Sequence, residues 1–160
     1  MTKKTAVLGF GNPVRSDDGI GCQVIAWLQD HPGASDDLSL IDMGTSAFEV
    51  LFQLAGHERI ILVDAVINSG EPDGTVFQLP AEAVRASIQD DPLVFLHSLK
   101  WDQALSYAKK ILRDDYPDDI TVYLISVSNT RLEVSCSEAV LEAGRRVADH
   151  IIASLAVAHE

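Results

Sequence analysis

The amino-acid sequence predicts a single α/β domain spanning residues 1–160, in which helices sandwich a mostly parallel, twisted sheet with one antiparallel edge strand. Short apolar runs alternate along the chain with stretches of helical periodicity. Strands that alternate with helices are typical of parallel sheets joined by right-handed crossovers and covered on both faces. The length of 160 residues suits one domain with a substantial core.

The first half of the chain predicts three strands separated by two helices. Its last strand, Ile60–Val63, is a continuous aliphatic run that Asp64 closes, as expected of a central parallel strand. The expected elements are a strand at 6–8, a helix at 18–29, a strand at 38–41, a helix at 48–55 and a strand at 60–63.

The second half predicts an edge strand, a short helix, and then two long helices with one further strand between them. The edge strand lies between the turn-rich segment 70–74 and Pro80, which cannot donate a ladder hydrogen bond. The expected elements are a strand at 75–79, a short helix at 81–88, a helix at 99–112, a strand at 120–127 and a helix at 137–156.

Composition and charge exclude several classes of function. With 24 acidic and 12 basic residues the formal net charge is −12, which argues against a nucleic-acid partner because such partners are held by Lys and Arg. No window approaches the roughly 18 apolar residues that span a bilayer, so we expect no membrane insertion. The two cysteines are far apart in sequence, and the short apolar run before Gly9 does not resemble a signal peptide. These features together predict a cytoplasmic protein.

The stretch from residue 9 to residue 21, GFGNPVRSDDGIG, joins the first strand to the first helix and is rich in glycine and aspartate. Dinucleotide binding is disfavoured because Val14 occupies the third glycine position of the GxGxxG motif. A nucleophile-based hydrolase is also disfavoured, since there is no GxSxG motif and neither cysteine has an evident partner histidine. Gly19 and Gly21 are poor helix formers, and we expect them to leave the first helical turn open to a ligand.

Several carboxylates are expected at the carboxyl ends of the strands, where ligands bind in open α/β sheets. Asp18, Asp42 and Asp64 follow successive predicted strands. Because clustered carboxylates repel one another, a bound metal ion is the simplest way to balance their charge. Among the five histidines, His97 is the best-placed nitrogen ligand.

Each of these residues also has a structural interpretation. Asp18 suits the first turn of a helix that has Ser16 as its N-cap. Asp42 suits a turn that caps the second helix, and His97 suits a loop. Asp64 has the least structural reason to be where it is, because it closes an apolar strand.

Four motifs in this order resemble the hydrogenase maturation endopeptidases, which trim the C-terminal extension from the large subunit of nickel-iron hydrogenases. They are the stretch 9–21, the DMGT motif that starts at Asp42, the LVDA motif that contains Asp64, and His97. The resemblance covers nearly the whole chain and implies that Asp18, Asp64 and His97 contact the metal. Asp42 matches the family's DGGT-like turn, with Met43 in place of the commoner glycine, and is a possible supporting residue.

The resemblance implies an aspartic-type endopeptidase that acts on a hydrogenase large-subunit precursor after nickel insertion. Its nickel would be supplied by that precursor and sensed through two carboxylates and a histidine. One alternative is a non-enzymatic, metal-dependent binding module or chaperone for the same client. A third hypothesis is a small-molecule α/β enzyme that binds a nucleotide. The attacking group and the oligomeric state stay open.

Overall fold

The computed structural model describes residues 5–46, 49–83 and 101–158. In this part of the chain five strands form one sheet, in the order β2-β1-β3-β5-β4. The strands are β1 (Thr5–Phe10), β2 (Leu38–Gly44), β3 (Arg59–Val66), β4 (Val76–Pro80) and β5 (Asp119–Ser126).

Four α-helices with known bounds accompany the strands, apart from the helical residues 81–83. They are α1 (Ile20–Gln29), α2 (Val50–Leu54), α3 (Trp101–Leu112) and α4 (Glu138–Ala158). A 3₁₀ turn, Ser16–Gly19, leads into α1, and a second one, Arg113–Asp115, follows α3. None of the helices among the described residues has the length and apolar character needed to cross a membrane.

The sheet confirms the predicted architecture. β1, β2, β3 and β5 pair in parallel, and β4 pairs with β5 in the antiparallel sense at one edge. The chain places β2 on one side of β1 and β3 on the other, so the strand order reverses at β1. Loops at the carboxyl ends of strands around such a reversal form the usual ligand crevice.

Both faces of the sheet are covered, which explains why its central strands are continuously apolar. Ile61 and Val63 of β3 pack with α1 and α4, while Ile60 and Leu62 pack with α2 and α3. Side chains alternate between the two faces of a strand, so each face of β3 must be apolar.

The structure differs from the expected elements mainly at their ends. β3 does not end before Asp64 but continues to Val66, because its pairing with β5 extends through Ala65 and Val66. The helix expected from Asp18 begins as a 3₁₀ turn and becomes α-helical at Ile20. Only residues 81–83 of the helix expected at 81–88 are described, and they are helical.

Candidate active site at the carboxyl ends of the strands

The three predicted carboxylates lie near the carboxyl ends of the first three strands. Asp18 lies in the 3₁₀ turn after β1, Asp42 is near the end of β2, and Asp64 is in the last third of β3. The 3₁₀ turn that carries Asp18 packs against β3, the strand that carries Asp64. His97, the fourth predicted residue, lies outside the described residues.

Asp64 is a buried carboxylate in a central strand. Its side chain is 4% exposed, and its Oδ1 accepts the N–H of Ala65 at 2.8 Å. The strand on one side of it is β1 and the strand on the other is β5. Burying a carboxylate is costly unless other groups compensate its charge, so a purely structural choice at this position would be an apolar residue.

Asp18 closes the loop between β1 and α1. Its carboxylate Oδ2 accepts the backbone N–H of Asn12 at 3.0 Å, and the side chain is partly exposed. The interpretation of Ser16 as an N-cap is wrong, because the Ser16 hydroxyl donates to the carbonyl oxygen of Ser135 at 2.8 Å. The loop backbone therefore orients the Asp18 carboxylate, and the side chain stays partly exposed.

Asp42 is exposed, and its Oδ1 accepts the N–H of Gly44 at 2.9 Å. A hydrogen bond from the backbone N–H two residues later is what the interpretation of Asp42 as a turn-forming residue predicts. The helix-capping part of that interpretation is wrong, because α2 begins only at Val50. Gly44 has a φ of +53°, a conformation that glycine adopts without a steric penalty.

The pKa of the Cys22 thiol responds to the charges of both Asp42 and Asp64. The side chain is 8% exposed at the start of α1 and donates to the carbonyl oxygen of Gly11 at 3.5 Å. The pKa of Cys22 is raised from its ordinary value of 9.0 to about 12, mainly by burial, next by the Asp42 carboxylate and least by that of Asp64. Both carboxylates therefore lie within electrostatic reach of one thiol, which stays protonated near neutral pH and is a poor nucleophile.

Sequence reasoning missed the role of Asp17, which is fully buried. Its Oδ1 accepts the backbone N–H of Ser137 at 2.6 Å, and its Oδ2 accepts the Ser137 hydroxyl at 2.9 Å. Asp17 thus joins the loop after β1 to the residue before α4. The only signal in the sequence is that Ser137 directly precedes a helical pattern, and nothing local links it to Asp17.

The expectation that Gly19 and Gly21 leave the first helical turn open is wrong. A Cβ on Gly21 would collide with the carbonyl oxygen of Phe10 and lie 2.6 Å from that of Val63. A Cβ on Gly19 would lie 2.7 Å from the Cα of Pro13. Gly21 is needed because α1 packs directly against the backbone of the sheet. Gly19 is needed because the preceding loop packs directly against the 3₁₀ turn.

Among the residues that the structure describes, no three His, Cys, Asp or Glu side chains form a group that could hold a metal ion. The predicted ligand set of Asp18, Asp64 and His97 has one member outside those residues. It therefore stays a prediction.

The hydrogenase maturation protease family matches residues 22–154 of the chain. The chain is 31% identical over 80 residues to the hydrogenase 2 maturation protease of Escherichia coli, a match that covers 50% of this chain and 49% of that protein. It is 28% identical over 127 residues to the hydrogenase expression/formation protein HupD of Thiocapsa roseopersicina, covering 79% of this chain and 55% of that protein. The chain spans about half the length of the curated relatives it matches.

Solved structures have the same fold over nearly the whole chain. The hydrogenase maturating endopeptidase HybD from E. coli superposes with a TM-score of 0.83 at 22% identity, covering 97% of this chain and 93% of that one. A hydrogenase 2 maturation peptidase from a Thaumarchaeota archaeon gives 0.71 at 25% identity, covering 96% and 99%.

Proposed function

The chain belongs to the hydrogenase maturation protease family, and we propose that it is an endopeptidase that removes the C-terminal extension of a nickel-iron hydrogenase large-subunit precursor. In this proposal cleavage follows nickel insertion, and the precursor itself brings the nickel. The reaction takes place in the cytoplasm, the location expected from the sequence.

One observation carries the proposal: the turn with Asp18 packs against the strand with the buried Asp64. Asp18 and Asp64 thus belong to neighbouring elements at the carboxyl end of the sheet, beside the strand at which the strand order reverses, and ligands of open α/β sheets bind there. A cation that arrives with the substrate would meet the buried carboxylate of Asp64, whose negative charge favours its binding.

The donor set suits a metal that the protein senses without retaining. Two carboxylates and the His97 imidazole leave coordination positions free, and the set contains no thiolate to hold nickel tightly. Contact with nickel adds binding free energy that only the loaded precursor can supply. Asp18, Asp64 and His97 thus make cleavage conditional on metal insertion, and Asp42 supports the nearby turn.

The test is a cleavage assay with purified protein and nickel-loaded precursor, in which mass spectrometry detects the released C-terminal peptide. We expect Asp64→Asn to lower the cleavage rate at least about a hundredfold, a loss of about 2.7 kcal/mol of transition-state stabilisation. The asparagine retains an oxygen to accept the Ala65 N–H but removes the charge that would face the metal. His97→Ala should have a comparable effect.

The matched control is Asp119→Asn, which removes a carboxylate at the opposite end of the sheet. Asp119 begins β5, its side chain is 56% exposed, and its carboxylate lies 3.5 Å from the Nε of Arg59. Wild-type cleavage by Asp64→Asn or His97→Ala proteins with unchanged melting temperatures would remove those residues from the mechanism. Binding of the loaded precursor by the wild-type protein without release of a peptide would favour the binding module instead.

A further inference from the structure

Hydrogen bonds join the loop that carries Asp18 to a segment far away in the sequence. The loop lies between β1 and α1, and the distant segment is residues 129–137, between β5 and α4. Three of the bonds use the backbone or side chain of residues 16–17. They run from the Ser16 N–H to the Glu133 carbonyl oxygen at 2.8 Å, from the Asp17 N–H to that of Asn129 at 3.2 Å, and from the Ser16 hydroxyl to that of Ser135 at 2.8 Å.

The carboxylate of Asp17 makes the two charge-assisted bonds between these segments. Its Oδ1 accepts the N–H of Ser137 at 2.6 Å and its Oδ2 accepts the hydroxyl of the same serine at 2.9 Å. Hydrogen bonds to an ionised acceptor are roughly twice as strong as neutral ones. Ser137 directly precedes α4, and its carbonyl oxygen accepts the N–H of Leu141 at 2.9 Å. The positive end of the dipole of α4 therefore also stabilises the Asp17 carboxylate.

Asp18, the next residue, is held by hydrogen bonds within its own loop. Its Oδ2 accepts the N–H of Asn12 at 3.0 Å, and its own N–H donates to the carbonyl oxygen of Arg15 at 3.2 Å. These two bonds fix the Asp18 carboxylate relative to the loop. The bonds of Asp17 fix the loop relative to the start of α4. The position of the Asp18 carboxylate in the molecule therefore depends on an anchor outside the loop.

We propose that Asp17 and Ser137 are positioning residues, which set the place from which Asp18 meets the metal carried by the precursor. This inference rests on the proposed function, in which Asp18 contacts that metal. A functional group must be held within about 0.5 Å of its productive position by the residues that support it. Asp17 is fully buried and has no access to the substrate, so it acts through Asp18.

The first test compares steady-state cleavage of nickel-loaded precursor by the wild-type protein and by Ser137→Ala. The alanine retains the backbone N–H but leaves the Oδ2 of Asp17 without the hydroxyl that it accepts. We expect kcat/KM to fall about tenfold, because a small misplacement of a group that meets the substrate slows the reaction. Ser137→Thr, which retains a hydroxyl, should cleave within about twofold of the wild-type rate. Ser154→Ala is the matched control, since the Ser154 hydroxyl donates to the carbonyl oxygen of Ile151 at 2.7 Å near the other end of the same helix.

A double-mutant cycle separates positioning from a general loss of structure. In the Asp18→Asn background, Ser137→Ala should lower kcat/KM by less than about twofold, because no carboxylate is left to position. A change that only destabilised the fold would lower cleavage by the same factor in both backgrounds. If Ser137→Ala does not fold, Ser16→Ala takes its place in the cycle, because it removes a different hydrogen bond between the same two segments.

Hydrogen exchange measured by NMR gives a readout that needs no substrate. The Asp18 carboxylate protects the N–H of Asn12, and we expect this N–H to exchange about tenfold faster in Ser137→Ala. The N–H of Gly44, whose hydrogen bond to the Asp42 carboxylate lies outside this loop, should exchange at the wild-type rate.

The inference fails, with the proposed function intact, if the wild-type protein cleaves the precursor and Ser137→Ala cleaves it equally well. Equal losses in Ser137→Ala and Ser154→Ala, or an undiminished effect of Ser137→Ala in the Asp18→Asn background, also overturn it. If the wild-type protein releases no peptide, the proposed function fails, and hydrogen exchange alone decides whether Ser137 positions Asp18. An unchanged exchange rate of the Asn12 N–H in Ser137→Ala then overturns the inference, and a faster rate supports it.

Discussion

Asp17 and Asp18 are neighbours in the sequence, yet the fold gives them different surroundings. Asp17 is fully buried and bonded to both donors of Ser137, whereas Asp18 is partly exposed and accepts a loop N–H. Adjacent residues in a tight turn point in different directions, so one of the two neighbouring carboxylates is buried and the other stays partly exposed. A motif with paired aspartates thus combines an anchor and a candidate ligand.

Cys22 gives a prediction about stability at alkaline pH. Its pKa is raised from 9.0 to about 12 in the folded protein, mainly by burial and next by Asp42. Below pH 9 the thiol is protonated in both states, so it contributes no pH dependence. Above pH 9 the unfolded chain releases the proton and the folded chain retains it, so the free energy of unfolding should fall by about 1.4 kcal/mol per pH unit from this group.

Urea denaturation at pH 8 and pH 10.5 would measure this effect. The Cys22→Ala variant should lose less stability over that range than the wild-type protein does. Cys136→Ala is the control, because burial also raises the pKa of Cys136 but its side chain is only half-buried. An equal alkaline loss in the wild-type and Cys22→Ala proteins would contradict the assignment.

At the scale of the elements, β3 shows how pairing overrides local pattern. Its apolar run stops at Val63, but the ladder to β5 continues through Asp64, Ala65 and Val66. The carboxylate therefore lies inside a strand, held by backbone hydrogen bonds on a rigid element. A charged group on a rigid strand keeps its position better than one on a loop, which suits recognition of a metal.

The contact of α1 with the sheet gives a prediction at the same scale. Gly21→Ala should destabilise the protein by about 3 kcal/mol or more, because the new Cβ would collide with the carbonyl oxygens of Phe10 and Val63. Gly44→Ala is the comparison, since nothing lies within 4 Å of its Cβ position and only its φ of +53° disfavours a side chain. We expect a cost of about 1 kcal/mol there.

Guanidinium chloride denaturation of both variants measures the difference between steric collision and backbone strain. A Gly21→Ala protein as stable as Gly44→Ala would mean that α1 can move away from the sheet without loss. The close packing of the helix on β1 and β3 would then not be the reason for glycine at position 21.

At the scale of the whole molecule, the dominant electrostatic feature is the excess of acidic residues. The formal net charge is −12 on 160 residues. The excess acidic side chains repel one another more strongly in the folded state than in the expanded unfolded chain. Raising NaCl from 0.02 M to 0.5 M shortens the screening length from roughly 20 Å to about 4 Å. The melting temperature should therefore rise by about 2–4 °C, the equivalent of about 1 kcal/mol.

Calorimetry at pH 7.5 would measure this rise. The same experiment nearer the isoelectric point of about 4.6 provides the control, because the net charge there is small. A melting temperature that does not depend on salt at pH 7.5, or that rises equally at both pH values, would exclude self-repulsion as the cause.

The sequence by itself determined the fold class and most of its elements, because hydrophobic periodicity and turn residues act over short distances along the chain. It placed Asp18, Asp42 and Asp64 after successive strands; in the fold Asp18 follows β1, whereas Asp42 and Asp64 lie inside β2 and β3 near their carboxyl ends. The roles of Asp18, Asp64 and His97 as metal ligands stay predictions.

Only the tertiary structure decided which contacts join distant segments. Some of these contacts connect residues more than a hundred positions apart, as do the hydrogen bonds of Asp17 with Ser137 and the β-bridge of Arg15 with Glu133. No local sequence pattern predicts them. The packing of α1 on the strands likewise reversed the interpretation of Gly21, from an open turn to a close contact. These features depend on which surfaces meet when the sheet and helices assemble, so the anchor of the opening loop beside α4 became visible only in the folded chain.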